Sequence, residues 1–184
     1  MAIKQYHIAL VDTFFCPSAL VLPSGIELDF VETTIENTCQ KEDLKGRKYH
    51  GHQVLEKLLY YYSKKKLEKK AKLKITLVTV FHQSGRQDLK AWRDVFSLKN
   101  QKRYDAYLIS VGIPFKSKEQ YSSMDNIVFK RPVYVARPAY QKGVSKLNLV
   151  WPSTVKDKNI KIVDIVEPEI SSSLSVPLYF LNQI

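Results

Sequence analysis

The chain has 184 residues, a formal net charge of +11, a sequence pI of about 9.5, 45% hydrophobic residues and 26% charged residues. That length suits a single domain over 1–184 with a core of its own, and the composition is globular, which excludes a long disordered chain. No apolar run approaches the roughly 18 residues a membrane-spanning helix needs, and the stretch Met1 to Gly25 is broken by Asp12, Pro17 and Pro23, so no secretory signal is expected.

Tyr6 to Val11 reads as a buried strand that stops at Asp12. Val21 to Val31 is interrupted by Pro23, Ser24 and Gly25 and reads as loop with a short strand. Residues 36–49 are polar and belong on the surface. From His52 to about Ala71 the apolar positions Val54, Leu55, Leu58, Leu59 and Tyr62 recur at helical spacing. Lys74 to Phe81 is a β-branched run and a buried strand, and Gln83 to Arg86 turns around Gly85. Asp88 to Gln101 carries Leu89, Trp92, Val95, Phe96 and Leu98, an amphipathic helix. Tyr104 to Val111 is a strand ended by Gly112 and Pro114. Residues 116–126 are polar loop. Pro132 to Ala136 and Lys161 to Val166 are further strands. Residues 171–184 begin a last helix with a serine N-cap and Pro177 near its first turn. Strands alternating with helices at these spacings predict an α/β fold with a mostly parallel central sheet flanked by helices. In such sheets, active groups gather at the carboxyl ends of the strands.

Charge and rarer residues narrow the partners. A strongly basic balance favours nucleic acid, an anionic membrane or an acidic polypeptide. Lys64, Lys65, Lys66, Lys69, Lys70, Lys72 and Lys74 form a local run. It reads as a solvated helix end, where cations are favoured, with a docking patch as the alternative. Tyr60, Tyr61 and Tyr62 beside it are of a type that stacks on bases, but a helix of this kind buries one tyrosine and wets two, and nucleic acid is not expected as a partner. Cys16 and Cys39 are too few for a disulfide scaffold; they allow a single bridge, but free thiols in a reducing compartment are the default. Without a signal segment the default location is cytoplasmic; export by a signal-less route, as for effectors delivered into host cells, is the alternative. His7, His52 and His82 show no metal-binding spacing with the cysteines, and the six glycines form no phosphate-cradling loop, so neither a metal nor a cofactor is expected.

Three segments carry chemistry when taken in order. Ile8-Ala9-Leu10-Val11-Asp12-Thr13 is an apolar strand ending in Asp-Thr. His50-Gly51-His52-Gln53-Val54 opens a helix. Ser171-Ser172-Ser173-Leu174-Ser175-Val176-Pro177 starts another. Together they resemble the three signature blocks of subtilisin-like serine proteases: Asp-Ser/Thr-Gly after the first core strand, His-Gly-Thr-His-Val at a helix start, and Gly-Thr-Ser with a proline four residues after the nucleophile. The middle of the chain is similar too. Ile75 to Phe81, Ser84-Gly85, a helix around Trp92, and Asp105 to Pro114 resemble the family's central stretch, with Ser110-Val111-Gly112-Ile113-Pro114 in place of its Ser-Leu-Gly-Gly-Pro-like segment.

The resemblance implies a subtilisin-like three-layer architecture and a triad of Asp12, His50 and Ser173. A serine hydroxyl is a poor nucleophile at neutral pH. An imidazole must take its proton and later give it to the leaving amine, and a carboxylate must hold that imidazole in the correct tautomer. The resemblance also implies that the backbone of Ser110, Val111 and Gly112 pairs with an extended polypeptide substrate as an added strand, an acidic one if the charge guides it.

The sequence departs from the family at four points. Phe14 stands in place of the glycine after Asp-Thr. Ser171 and Ser172 replace Gly-Thr. The oxyanion-hole asparagine falls near Tyr140, or Gln141 with a one-residue shift, in the run Ala136-Arg137-Pro138-Ala139-Tyr140-Gln141. Losing one such donor costs roughly a hundredfold to a thousandfold in rate. Ser173 lies 123 residues after His50 and only residues 174–184 follow it, which implies a minimal member or one whose fold a protein partner completes. The expectation is a serine endopeptidase of low rate or narrow specificity. The alternative is a pseudoprotease that keeps the fold as a peptide- or protein-binding module; a third and weaker reading, motivated by the charge, is a nucleic-acid-binding α/β domain whose binding falls steeply with salt.

Overall fold

Short runs of β-branched and aliphatic residues become the strands β1 (Lys4–Asp12), β2 (Ile26–Phe30), β3 (Ala71–Thr79), β4 (Ala106–Ile109), β5 (Ile113–Phe115), β6 (Val133–Ala136), β7 (Leu149–Trp151) and β8 (Ile160–Val163). Amphipathic runs become the helices α1 (His50–Lys64), α2 (Leu89–Val95) and α3 (Leu98–Gln101), and a largely apolar run becomes α4 (Ser172–Leu181). The structure is a computed structural model and describes residues 2–17, 20–30, 49–81, 87–111, 113–115, 127–137, 149–151, 156–164 and 171–184.

Six strands form one sheet in the order β2-β3-β1-β4-β6-β8, with every neighbouring pair parallel. Alternation along the strands sorts the core into two sides. Ile8, Leu10, Ile75, Leu77 and Leu108 pack with Val54, Leu55, Leu58 and Tyr62 of α1 and with Val176, Leu178 and Phe180 of α4. Ala9, Val11, Val78, Tyr107 and Ile109 pack with Ala91, Trp92 and Val95 of α2 and with Phe96. The α/β fold expected from the sequence therefore stands: a parallel central sheet with helices on both faces, in three layers. Among the described residues, no helix is long and apolar enough to cross a membrane.

Several expectations are corrected. The helix expected to reach Ala71 ends at Lys64. Lys66 adopts a left-handed conformation with φ of 53°, a common way to end a helix. A 3-10 turn at Leu67–Lys69 follows, and Ala71 already opens β3. Continuing α1 would have placed lysines on its core-facing stripe; the reversal instead buries Leu67. α1 also buries two tyrosines, not one: Tyr61 and Tyr62 are inside, and Tyr60 is exposed. The Tyr62 hydroxyl donates to the Ala71 carbonyl at 2.5 Å.

The helix expected over Asp88 to Gln101 is two helices. Asp88 caps α2, accepting from the N–H groups of Lys90 and Ala91, and Ser97 caps α3. The break leaves Leu98 exposed and buries Gln101. The Gln101 amide donates to the carbonyls of Phe96 and Val128 and accepts from the Lys130 N–H, so every polar group of this buried side chain is satisfied. The antiparallel pair β5–β7 was not expected. Cys16 is disulfide-bonded rather than free. Pairing depends on a distance in space that sequence spacing does not show, and it removes the free-thiol argument for a reducing compartment. Cys39 and His82, the turn at 83–86 and the polar loops at 36–48 and 116–126 lie outside the described residues.

Candidate active site

β1 sits in the middle of the sheet, with β3 on one side and β4 on the other. The chain leaves β1 toward β3, whereas it leaves β4 toward β6, so the connections diverge at the carboxyl ends of β1 and β4. Such a switch point is where open α/β sheets form their binding crevices. Asp12 is the last residue of β1. By strand alternation it shares a face with Ile8 and Leu10, the side on which α1 and α4 pack. His50 is the first residue of α1, and Ser173 stands in the first turn of α4. Two helix starts and one strand end thus converge above the sheet.

Asp12 is fully buried. Its Oδ1 accepts from the Thr13 N–H at 2.6 Å and from His50 Nδ1 at 2.8 Å, and its Oδ2 lies 3.1 Å from the same nitrogen. An ionised carboxylate only accepts, so Nδ1 carries the imidazole proton and Nε2 is the acceptor. Nε2 lies 3.0 Å from Ser173 Oγ, which donates to it. Burial of the imidazole disfavours its charged form, but the hydrogen bond and the charge of Asp12 outweigh this, and the His50 pKa is raised above its ordinary 6.5.

Thr13 and Gly51 hold this geometry. Tyr49, the residue before α1, makes no side-chain cap. Thr13 Oγ1 supplies one from outside the helix, accepting from the Gly51 N–H at 3.0 Å. This bond ties the end of β1 to the start of α1. Phe14 has no positive φ and sets its ring against Tyr49 with centroids 5.8 Å apart. A methyl group added at Gly51 would sit 2.9 Å from the Phe14 carbonyl oxygen and 3.1 Å from Asp12 Cβ. Gly51→Ala is therefore expected to push α1 off β1. Stability should fall by about 1–3 kcal/mol, and any His50-dependent reaction should slow about a hundredfold, as for small misplacements of catalytic groups. Thermal unfolding and single-turnover kinetics on the purified variant check both.

Ser173 is selected among three consecutive serines by position. The Ser172 side chain lies outside the described residues. Ser171 is the N-cap of α4, accepting from the Leu174 N–H at 3.4 Å. Its Oγ is also 2.9 Å from Ser173 Oγ. Because Ser173 uses its proton on Nε2, the Ser171 hydroxyl is the donor of that pair. A hydroxyl donating there is placed to stabilise negative charge on Ser173 Oγ, a contact not visible in the sequence. Ser171→Ala is expected to cut the rate of serine modification about tenfold, the size of one hydrogen bond to a charged group. Ser171→Asp, which caps as well as serine but cannot donate, should not restore it, whereas Ser171→Thr should. The Ser173 N–H is among the first N–H groups of α4 and has no acceptor within its helix.

Of the other expected site residues, Ser110 directly follows β4, and its buried hydroxyl has no hydrogen-bond partner among the described residues. Val111 packs on the α2 side. Gly112, Tyr140 and Gln141 lie outside the described residues. Among the described residues no group of three or more His, Cys, Asp or Glu side chains is placed to hold a metal ion. No protein-family model matches the chain, and no curated protein matches it in sequence.

Proposed function

We propose that this protein is a serine endopeptidase of subtilisin-like type, with Asp12, His50 and Ser173 as orienting acid, general base and nucleophile. The observation that carries the reading is the continuous hydrogen-bond chain from Asp12 through Nδ1 and Nε2 of His50 to Ser173 Oγ, at 2.8 and 3.0 Å. In the reaction, Ser173 Oγ attacks the scissile carbonyl carbon as its proton passes to Nε2. Asp12 stabilises the imidazolium that forms. The Ser173 N–H and the positive end of α4 receive the developing oxyanion. His50 then gives its proton to the leaving amine, and a water attacks the acyl-serine by the same route. The substrate is a polypeptide lying extended along Ser110, Val111 and Gly112.

A second reading is a pseudoprotease that binds peptides without cleaving them. It is favoured by the run from Ala136 to Gln141, which contains no asparagine to donate to an oxyanion. Fluorophosphonate labelling separates the two. The expected result is one adduct on Ser173, mapped by mass spectrometry and lost in His50→Ala. An unlabelled but folded protein would transfer the assignment to the binding module.

A further inference from the structure

In an all-parallel sheet every strand starts at the same edge, and here that edge is opposite the triad. Cations mark the start of five of the six strands in this sheet. Lys4 is the first residue of β1. Lys69 and Lys70 precede β3, and Lys102 and Arg103 precede β4. Lys130 and Arg131 precede β6, and Lys156 and Lys158 precede β8. All of these residues are exposed, and among the described residues none is in an ion pair. Lys65 and Lys66 add two exposed charges where α1 ends. Three acids lie among these cations and are outnumbered by them: Glu68 in the 3-10 turn, Asp105, which accepts from the His7 N–H, and Asp157, which accepts from the Asn159 N–H.

The strand order β3-β1-β4-β6-β8 with about 4.8 Å between strands makes a basic rim about 19 Å long. β1 runs from Lys4 in this rim to Asp12 in the triad, about 26 Å at roughly 3.3 Å per residue. The rim therefore touches nothing bound at the triad, and its charge serves a different partner.

Two further features choose among polyanions. Ile3, beside Lys4, and Val128, two residues before Lys130, are 45% and 60% exposed. Aliphatic side chains among lysines and arginines suit the boundary between lipid headgroups and acyl chains. Sequence-tolerant binding of single-stranded nucleic acid uses exposed aromatic platforms. Here Tyr62 and Tyr104 are buried, and the exposed Tyr60 carries Lys57 and Lys64 over its ring at 5.7 and 5.6 Å.

We propose that the basic rim at the amino ends of the strands docks the protein on an anionic lipid surface and holds the Asp12–His50–Ser173 edge away from the membrane, facing solution. This goes beyond the peptidase reading and does not rest on it: Ser173→Ala is expected to bind lipid as the unaltered protein does.

Co-sedimentation of the full chain with phosphatidylcholine vesicles, with and without phosphatidylserine, tests it. Binding is expected to the phosphatidylserine vesicles alone and to fall as salt is raised. Lys69→Gln with Lys70→Gln, or Lys130→Gln with Arg131→Gln, should each weaken it about thirtyfold, from the typical attraction of one cation to an anionic leaflet. Ile3→Ser should weaken it further without changing the salt dependence. These side chains are exposed, so the variants retain the fold, which circular dichroism checks. Equal binding to both kinds of vesicle, no binding to either, or binding that these substitutions leave unchanged would overturn the proposal. So would tighter binding to a duplex or single-stranded oligonucleotide than to the anionic vesicles at the same salt, which would assign the rim to nucleic acid.

Discussion

Ser173→Ala is expected to lower hydrolysis of an activated ester or an unfolded protein substrate by about a millionfold, the scale on which loss of a triad nucleophile acts. The size follows from the arrangement. Removing Oγ takes away the atom that bonds to the substrate, and the remaining groups supply only binding and oxyanion stabilisation. The fold should be almost untouched, because Ser171 still caps α4 and, among the described residues, the removed hydroxyl bonds only to His50 and Ser171. Thermal unfolding should therefore stay within about 0.5 kcal/mol of the unaltered protein. The variant also tests the register of the serine run. If Ser173→Ala kept most of the activity while Ser171→Ala lost it, Ser171 would be the nucleophile and the triad would have to be redrawn.

The second large effect is expected from Asp12→Asn, with a loss of about ten-thousandfold in turnover. The neutral amide no longer stabilises the imidazolium, and its NH₂ can face Nδ1 and turn the imidazole into the wrong tautomer. The pH profile carries a distinct signature. His50 works as a base only when neutral, so activity falls on the acid side as pH drops through its pKa, which Asp12 raises above 6.5. Without that carboxylate, burial of the ring dominates, and burial lowers the pKa. The acid limb should therefore move below 6.5. A limb that stayed in place while the rate fell would mean that some other group sets it. The raised pKa also fixes the sign of the stability effect. The protonated His50–Asp12 pair contributes stability that is fully present below pH 6.5 and is lost as pH rises through the folded-state value. Asp12→Asn should flatten that dependence in pH-resolved unfolding.

Much of this protein was legible in its sequence. The apolar runs at Tyr6–Val11, Lys74–Phe81 and Tyr104–Val111 gave the central strands, because a strand buried on both faces is apolar throughout. The stripe from Val54 to Tyr62 gave α1, because period 3.6 is visible in one dimension. Asp12, His50 and Ser173 were singled out because the segments around them, taken in order, resemble the signature blocks of subtilisin-like proteases; each also stands at the end or start of a readable element. Helix ends were read less well. α1 stops at Lys64 because nothing apolar follows on its core face, and the helix expected over 88–101 breaks because Ser97 caps a new one.

The sequence by itself determined the alternation of strands and helices, and with it the α/β class and the ends at which chemistry can sit. Only the tertiary structure decided the rest. It placed β1 between β3 and β4, so that one strand end and two helix starts meet within hydrogen-bond distance. It made Thr13 the cap of a helix 38 positions away, set Ser171 on Ser173, bonded Cys16, and gathered cations scattered from Lys4 to Lys158 along a single edge. The physical reason is the same in each case. Local periodicity reports which face of an element is apolar, whereas these contacts join residues distant in sequence and depend on strand order, which local periodicity does not encode.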